Sequence, residues 1–170
     1  MYSRTILPRN MNLLALELHE YNPKRFYYLE SKKNIVIPGI FTKFIYTESY
    51  FTMNEVFFDF PIQYTYIDYP QDGEQYTVYF DRTLVPNAAL LEKLNKLETE
   101  ILYHYALFTN CRKVSARTLV NRLYQGFFKV RKPTGGKQTP PKHFLLKISG
   151  IWEIDTSYGL TAKVVNGEPI

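Results

Sequence analysis

A single cysteine, Cys111, stands in the chain, so no intramolecular disulfide can form. That points to a reducing, intracellular setting in cytoplasm or nucleus, with a virus-infected host cell as one such setting. The three histidines, His19, His104 and His143, are scattered and share no ligand spacing with cysteine or carboxylates. A metal site therefore lacks sequence support, and no cofactor is expected. No apolar run is long enough to span a bilayer, and no basic amphipathic helix with bulky apolar anchors stands out, so no membrane partner is expected. The N-terminus lacks the apolar core of a secretory signal.

Catalytic motifs are missing as well. Gly135-Gly136-Lys137 is followed by Gln138 and then by Pro140-Pro141. A phosphate loop needs Ser or Thr after the lysine and a helix beyond it, so nucleotide hydrolysis is excluded. Cys111 has no recognisable base partner in the sequence, and the acidic residues of the first half show no two-metal pattern. The expectation is a protein that is not an enzyme.

Acidic residues are absent from one long stretch. Between Arg112 and Lys147 there is no Asp or Glu, but ten cations: Arg112, Lys113, Arg117, Arg122, Lys129, Arg131, Lys132, Lys137, Lys142 and Lys147. Charge is uneven across the chain. Residues 1–81 hold 7 basic and 10 acidic side chains, a net of −3, and residues 82–170 hold 14 basic and 6 acidic, a net of +8. Such asymmetry points to an anionic partner for the second half.

What the chain has in excess is aromatic rings, with 15 Tyr and 12 Phe in 170 residues. Rings of this kind favour strands, and tyrosine keeps a polar tip on a half-exposed surface. Short β-branched and aromatic runs fill the first half: Arg25–Glu30, Asn34–Pro38, Ile40–Tyr46, Val56–Phe60, Ile62–Tyr69 and Gln75–Phe80. Residues 11–20 alternate loosely and are read as a further strand. Asp72-Gly73 between two alternating runs is a hairpin signal. Apolar residues then recur at helical spacing from Leu90 to Phe108, predicting an amphipathic helix over residues 87–108 that packs on the protein's own core or pairs two copies. Ser115 is placed to cap a second, short helix reaching Tyr124. Phe127–Arg131 reads as a strand, Lys132–Lys142 as a flexible Pro/Gly arm, and residues 143–165 as a closing hairpin.

The hairpin Phe144-Leu-Leu-Lys-Ile-Ser-Gly-Ile-Trp-Glu-Ile-Asp-Thr-Ser-Tyr-Gly-Leu-Thr-Ala-Lys163 resembles the closing strands of small OB-fold-like single-stranded-DNA-binding proteins of DNA viruses and mobile elements. The resemblance implies an OB-like antiparallel barrel or curved sheet; together with the two helices, the expected class is β-rich α+β, folded as a single domain over residues 1–170. If Phe144–Glu153 is one uninterrupted strand, Leu145, Lys147, Ser149 and Ile151 share one face, and Phe144, Leu146, Ile148, Gly150 and Trp152 the other. Gly150 can also mark a bend or bulge.

Cations follow a polyanion backbone, and exposed rings stack on unpaired bases. The expected activity is therefore sequence-tolerant binding of single-stranded nucleic acid, DNA in the first place. The ten cations above are expected on phosphates, with Tyr124, Phe127, Phe128 and Trp152 as stacking candidates; Trp152 as a core anchor stays open. A different class also fits: a structural or interaction protein, such as a viral assembly component, whose basic segment meets nucleic acid or an acidic partner.

Overall fold

The computed structural model describes residues 5–6, 14–135 and 143–167. The strands are β1 (Thr5–Ile6), β2 (Leu14–Leu16), β3 (Phe26–Tyr28), β4 (Lys32–Lys33), β5 (Ile40–Thr47), β6 (Thr52–Met53), β7 (Val56–Asp59), β8 (Tyr64–Asp68) and β9 (Gln75–Phe80). Helix α1 (Val85–Thr109) follows, then β10 (Val114–Ala116), α2 (Thr118–Leu123), β11 (Phe127–Arg131), β12 (Phe144–Glu153) and β13 (Ser157–Asn166). The fold is β-rich with one long and one short helix, as expected. Its larger sheet curls into a half-barrel, and β8, β9 and β11 form a separate three-stranded sheet in the order β11-β9-β8.

Strand β12 organises the larger sheet. Along one edge it pairs with β13 over nearly its whole length. Its other edge is shared: Leu145–Ile148 pair with β7, and Gly150–Glu153 pair with β5. The change of partner coincides with a bulge at Ser149, where the ladder to β13 steps from Ile148 to Gly150. A bulge puts one extra residue on its strand and reverses the side-chain phase beyond it. Phe144, Leu146 and Ile148 face the core, and after the bulge Ile151 joins them, each at most 3% exposed. The uninterrupted alternation expected from the sequence is thereby corrected, and Trp152 is carried to the outer face. Gly150 is required there because a Cβ would collide with the Thr42 carbonyl and the Phe41 ring.

Helix α1 buries one face in the core shared by the two sheets. Leu90, Leu91, Leu94, Leu97, Ile101, Leu102 and Tyr105 are buried on one stripe, which packs into the same cluster as Phe44, Phe58, Val78 and Phe80 from both sheets. The stripe's last member, Phe108, stays exposed and leans on Tyr28. At its start the helix is tied by buried Asn87, which accepts from the Gln63 N–H and donates to the Gln63 and Asp81 carbonyls. It ends at Asn110, whose φ of 54° is the left-handed conformation that asparagine tolerates at a helix C-terminus.

Two local expectations are overturned. Ser115 does not cap α2; it lies in β10, which pairs in parallel with Ser157–Gly159. The cap comes from α1: the buried Glu98 carboxylate accepts the N–H groups of Leu119 at 2.9 Å and Val120 at 3.0 Å. Nor is Asn34–Pro38 a strand. It is the tip of the hairpin joining β4 to β5, closed by the Asn34 N–H donating to the Gly39 carbonyl at 2.9 Å.

Candidate functional site

The solvent face of the three-stranded sheet carries a row of rings. In β9 the residues Tyr76, Val78 and Phe80 point inward and are buried, which turns Gln75, Thr77 and Tyr79 outward. The register places Tyr79 opposite both Tyr66 of β8 and Phe127 of β11. Their ring centroids follow one another at 5.9 Å, Tyr66 to Tyr79 and Tyr79 to Phe127. Tyr66 is 60% exposed and Tyr79 39%. The next rung along the same face is Asp68, Thr77 and Lys129, and the one after is Gln75 and Arg131. Cations of β11 thus continue in line with the rings.

Beside this face lies a groove of about 940 Å³. One wall is β11, the other is residues 162–166 of β13, and Leu119 and Leu123 of α2 contribute apolar lining. The groove exists because the sheets do not join here. Among the described residues β11 pairs only with β9, and β13 beyond Gly159 pairs only with β12. Four cations line it, Arg122, Lys129, Arg131 and Lys163, against one carboxylate, Glu74. Arg131 and Glu74 approach to 3.5 Å, but both are largely exposed, and such a pair contributes little and exchanges readily. The N–H groups held by Glu98 fix the start of α2, the helix that carries Arg122 to the groove.

Tyr124, 46% exposed, ends α2 at the turn into β11, and Arg82 donates to its carbonyl at 2.7 Å. Lys132 marks the far end of β11. Its N–H donates to the Glu74 carbonyl at 2.7 Å, its ammonium to the Pro70 carbonyl, and that ammonium lies 4.9 Å from the centre of the Tyr69 ring. Lys137, Lys142 and most of the expected arm lie outside the described residues.

The remaining expected residues are elsewhere. Phe128 is 8% exposed and wedged among Phe60, Phe80 and Phe144, so it is a core residue and no stacking platform. Its neighbour Phe127 holds the outward position. Lys113 is committed to the fold: it reaches the Glu153 carboxylate at 2.6 Å and donates to the Ile154 carbonyl at 2.7 Å. The hydrogen bond to the Glu153 carboxylate raises the Lys113 pKa. Burial pushes Glu153 up, but hydrogen bonds from Lys113 and Tyr105 outweigh it and hold the carboxyl below its ordinary range. Arg112 is exposed beside this cluster, at the opposite end of β13 from the groove. Lys147 pairs with Glu55 at 2.8 Å on the outer face of β12. Arg117 donates to Asn95 of α1 at 2.8 Å. Trp152 lies over Gly159, where a Cβ would collide with its indole, and is only part-exposed.

Tyr66, Tyr79 and Lys163 were not singled out from the sequence. The alternation in Gln75–Phe80 marks Tyr79 as outward once its partners are taken as core, but nothing local says that it meets Phe127. Among the described residues no three His, Cys, Asp or Glu side chains are grouped so as to hold a metal ion. No helix in the described residues is long and apolar enough to cross a membrane. No protein-family model matches the chain, no curated protein matches it, and no solved structure matches it. No catalytic family is indicated.

Proposed function

We propose that this protein binds single-stranded nucleic acid with little sequence preference. The observation that carries the reading is the solvent-facing row Tyr66–Tyr79–Phe127, continued by Lys129 and Arg131 and bordered by a groove with a marked excess of positive charge. Ring faces on an open sheet stack on unpaired bases whatever their identity, because every base has a π-face. Arg122, Lys129, Arg131 and Lys163 then take the phosphates as point or bidentate donors. Tyr124 and Arg82 extend the surface past the Phe127 end of the row. The paired bases of a duplex are stacked on one another and cannot lie on these rings, so the reading favours single strands.

A comparison of labelled oligonucleotides by fluorescence anisotropy tests the proposal. Single strands, both deoxy- and ribo-, are expected to bind more tightly than duplexes of equal length, with affinity falling as salt rises. Equal or tighter duplex binding would contradict the stacking element. Absence of binding to any oligonucleotide at low salt would leave the basic groove to an acidic protein partner.

A further inference from the structure

We infer that the hairpin tip between β4 and β5 is a lipid-contacting element that inserts aliphatic side chains into an anionic membrane surface. Three aliphatic residues follow one another at this tip: Ile35 is 100% exposed, Val36 90% and Ile37 36%, with Ile40 just behind at 36%. Single exposed apolar residues are ordinary on a protein surface, but consecutive ones on a hairpin tip, with Ile35 and Val36 almost wholly in solvent, mark a contact site.

The tip is also built to hold its shape. The Val36 N–H donates to Asn34 Oδ1 at 3.0 Å, and the Asn34 N–H donates to the Gly39 carbonyl at 2.9 Å. Pro38 restricts the return, and Gly39 is pressed so closely on the Glu153 backbone that a Cβ would collide with its carbonyl. Ile35 and Val36 are therefore presented on a fixed finger seated against the end of β12, and little ordering is lost when they are buried.

The chemistry at its base selects the occupant. Lys32 and Lys33 form β4, immediately behind the tip; both are exposed, and neither forms an ion pair within the described residues. Nearby acids are Glu30 and Asp155, both exposed, while Glu153 is already held by Lys113. Exposed Arg112 adds a further cation on this side. Protein interfaces draw their binding energy from Trp, Tyr and Arg and are depleted in lysine. This tip has aliphatic residues in front and lysines one layer behind. That order matches a bilayer interface, with apolar groups at the acyl boundary and ammonium groups among anionic headgroups. Such a contact needs neither a spanning run nor an amphipathic helix.

The site is independent of the proposed nucleic-acid surface. Lys163 in the groove lies six positions along β13 from Ser157, beside the base of the hairpin, about 20 Å at strand rise. The test is flotation of the full chain with vesicles of phosphatidylcholine alone or mixed with phosphatidylserine. Binding to the mixed vesicles is expected, with weak or no binding to phosphatidylcholine alone. The double variant Ile35→Asp/Val36→Asp should lower partitioning about tenfold or more. Lys32→Glu/Lys33→Glu should lower it about fivefold or more per lysine and abolish the preference for phosphatidylserine. Both pairs are exposed, so folding should survive, which a thermal melt checks, and oligonucleotide affinity should be unchanged. Wild-type protein that fails to float with either vesicle overturns the inference. So does an aspartate variant that floats as well as wild type. A concentration-dependent oligomer that the aspartate variant dissolves, without vesicle binding, would instead assign the tip to a second copy of the chain.

Discussion

Replacing Glu98 with Ala should destabilise the protein by about 2–4 kcal/mol, although Glu98 touches neither the ring row nor the groove. Its side chain is 0% exposed and accepts the N–H groups of Leu119 and Val120, the second and third residues of α2, a helix with no side-chain cap of its own. Alanine leaves both buried donors without a partner at about 1–3 kcal/mol each, offset in part because a carboxylate no longer has to be buried. Glu98→Gln keeps one acceptor and should cost about half as much. Urea unfolding reads both, as a lower midpoint at unchanged slope. The pH dependence supplies a second readout. Burial holds the Glu98 carboxyl above its ordinary value of 4.5, against the pull of the two N–H groups and of Arg117 and Arg122. The folded state therefore takes up this proton more readily than the unfolded chain. Stability from this group is fully present below the ordinary value and is lost as pH rises through the folded one. The deficit of Glu98→Gln relative to wild type should accordingly be largest in acid and shrink as pH rises. A Glu98→Ala protein within 0.5 kcal/mol of wild type, about the scale of an ordinary surface change, would refute the assignment of Glu98 as the cap. A Glu98→Gln deficit that does not vary with pH would refute the linkage.

Phe128→Ala should cost about 3–5 kcal/mol of stability, because the ring fills the core between two aromatic neighbours and β12. Phe127→Ala, one residue away on the outer face, should cost about 1 kcal/mol or less in urea. Equal losses for the two would mean that the face assignment of β11 is wrong. Gly159→Ala should force the Trp152 indole off the strand, costing about 1–3 kcal/mol. The single tryptophan reports this directly, and unchanged emission would contradict the packing.

Features set by local periodicity were legible in the sequence. The leucine stripe gave α1 over 87–108, within two residues of the observed ends. Alternation around Asp72-Gly73 gave the β8–β9 hairpin, and β12 and β13 followed from the closing segment. Features set by distant partners were not legible. The cap of α2 comes from a residue 21 positions earlier on another helix. The bulge at Ser149 depends on β12 changing partner from β7 to β5, and it reverses which of Ile151 and Trp152 is buried. Asn34–Pro38 has strand composition but no strand to pair with, so its aliphatic residues end in solvent. The cationic run was plain as a run, yet strands and turns distribute it over several surfaces. Arg122, Lys129 and Arg131 come together with Lys163, while Lys113 and Lys147 are drawn into ion pairs. The ring row needed two residues from the first half, Tyr66 and Tyr79, and only the register of three strands unites them with Phe127.

The most direct test of the proposed binding surface separates rings from cations in one titration series. Affinity for a labelled single strand is measured across a range of salt for wild type, for Tyr66→Ala/Phe127→Ala, and for Lys129→Ala/Arg131→Ala/Lys163→Ala. The ring variant should lose about 1–3 kcal/mol per stacked base at every salt concentration, with the slope of log affinity against log salt unchanged. The cation variant should flatten that slope by about 0.7 for each phosphate contact removed. Variants that fold normally yet leave both affinity and slope at the wild-type values would contradict the account.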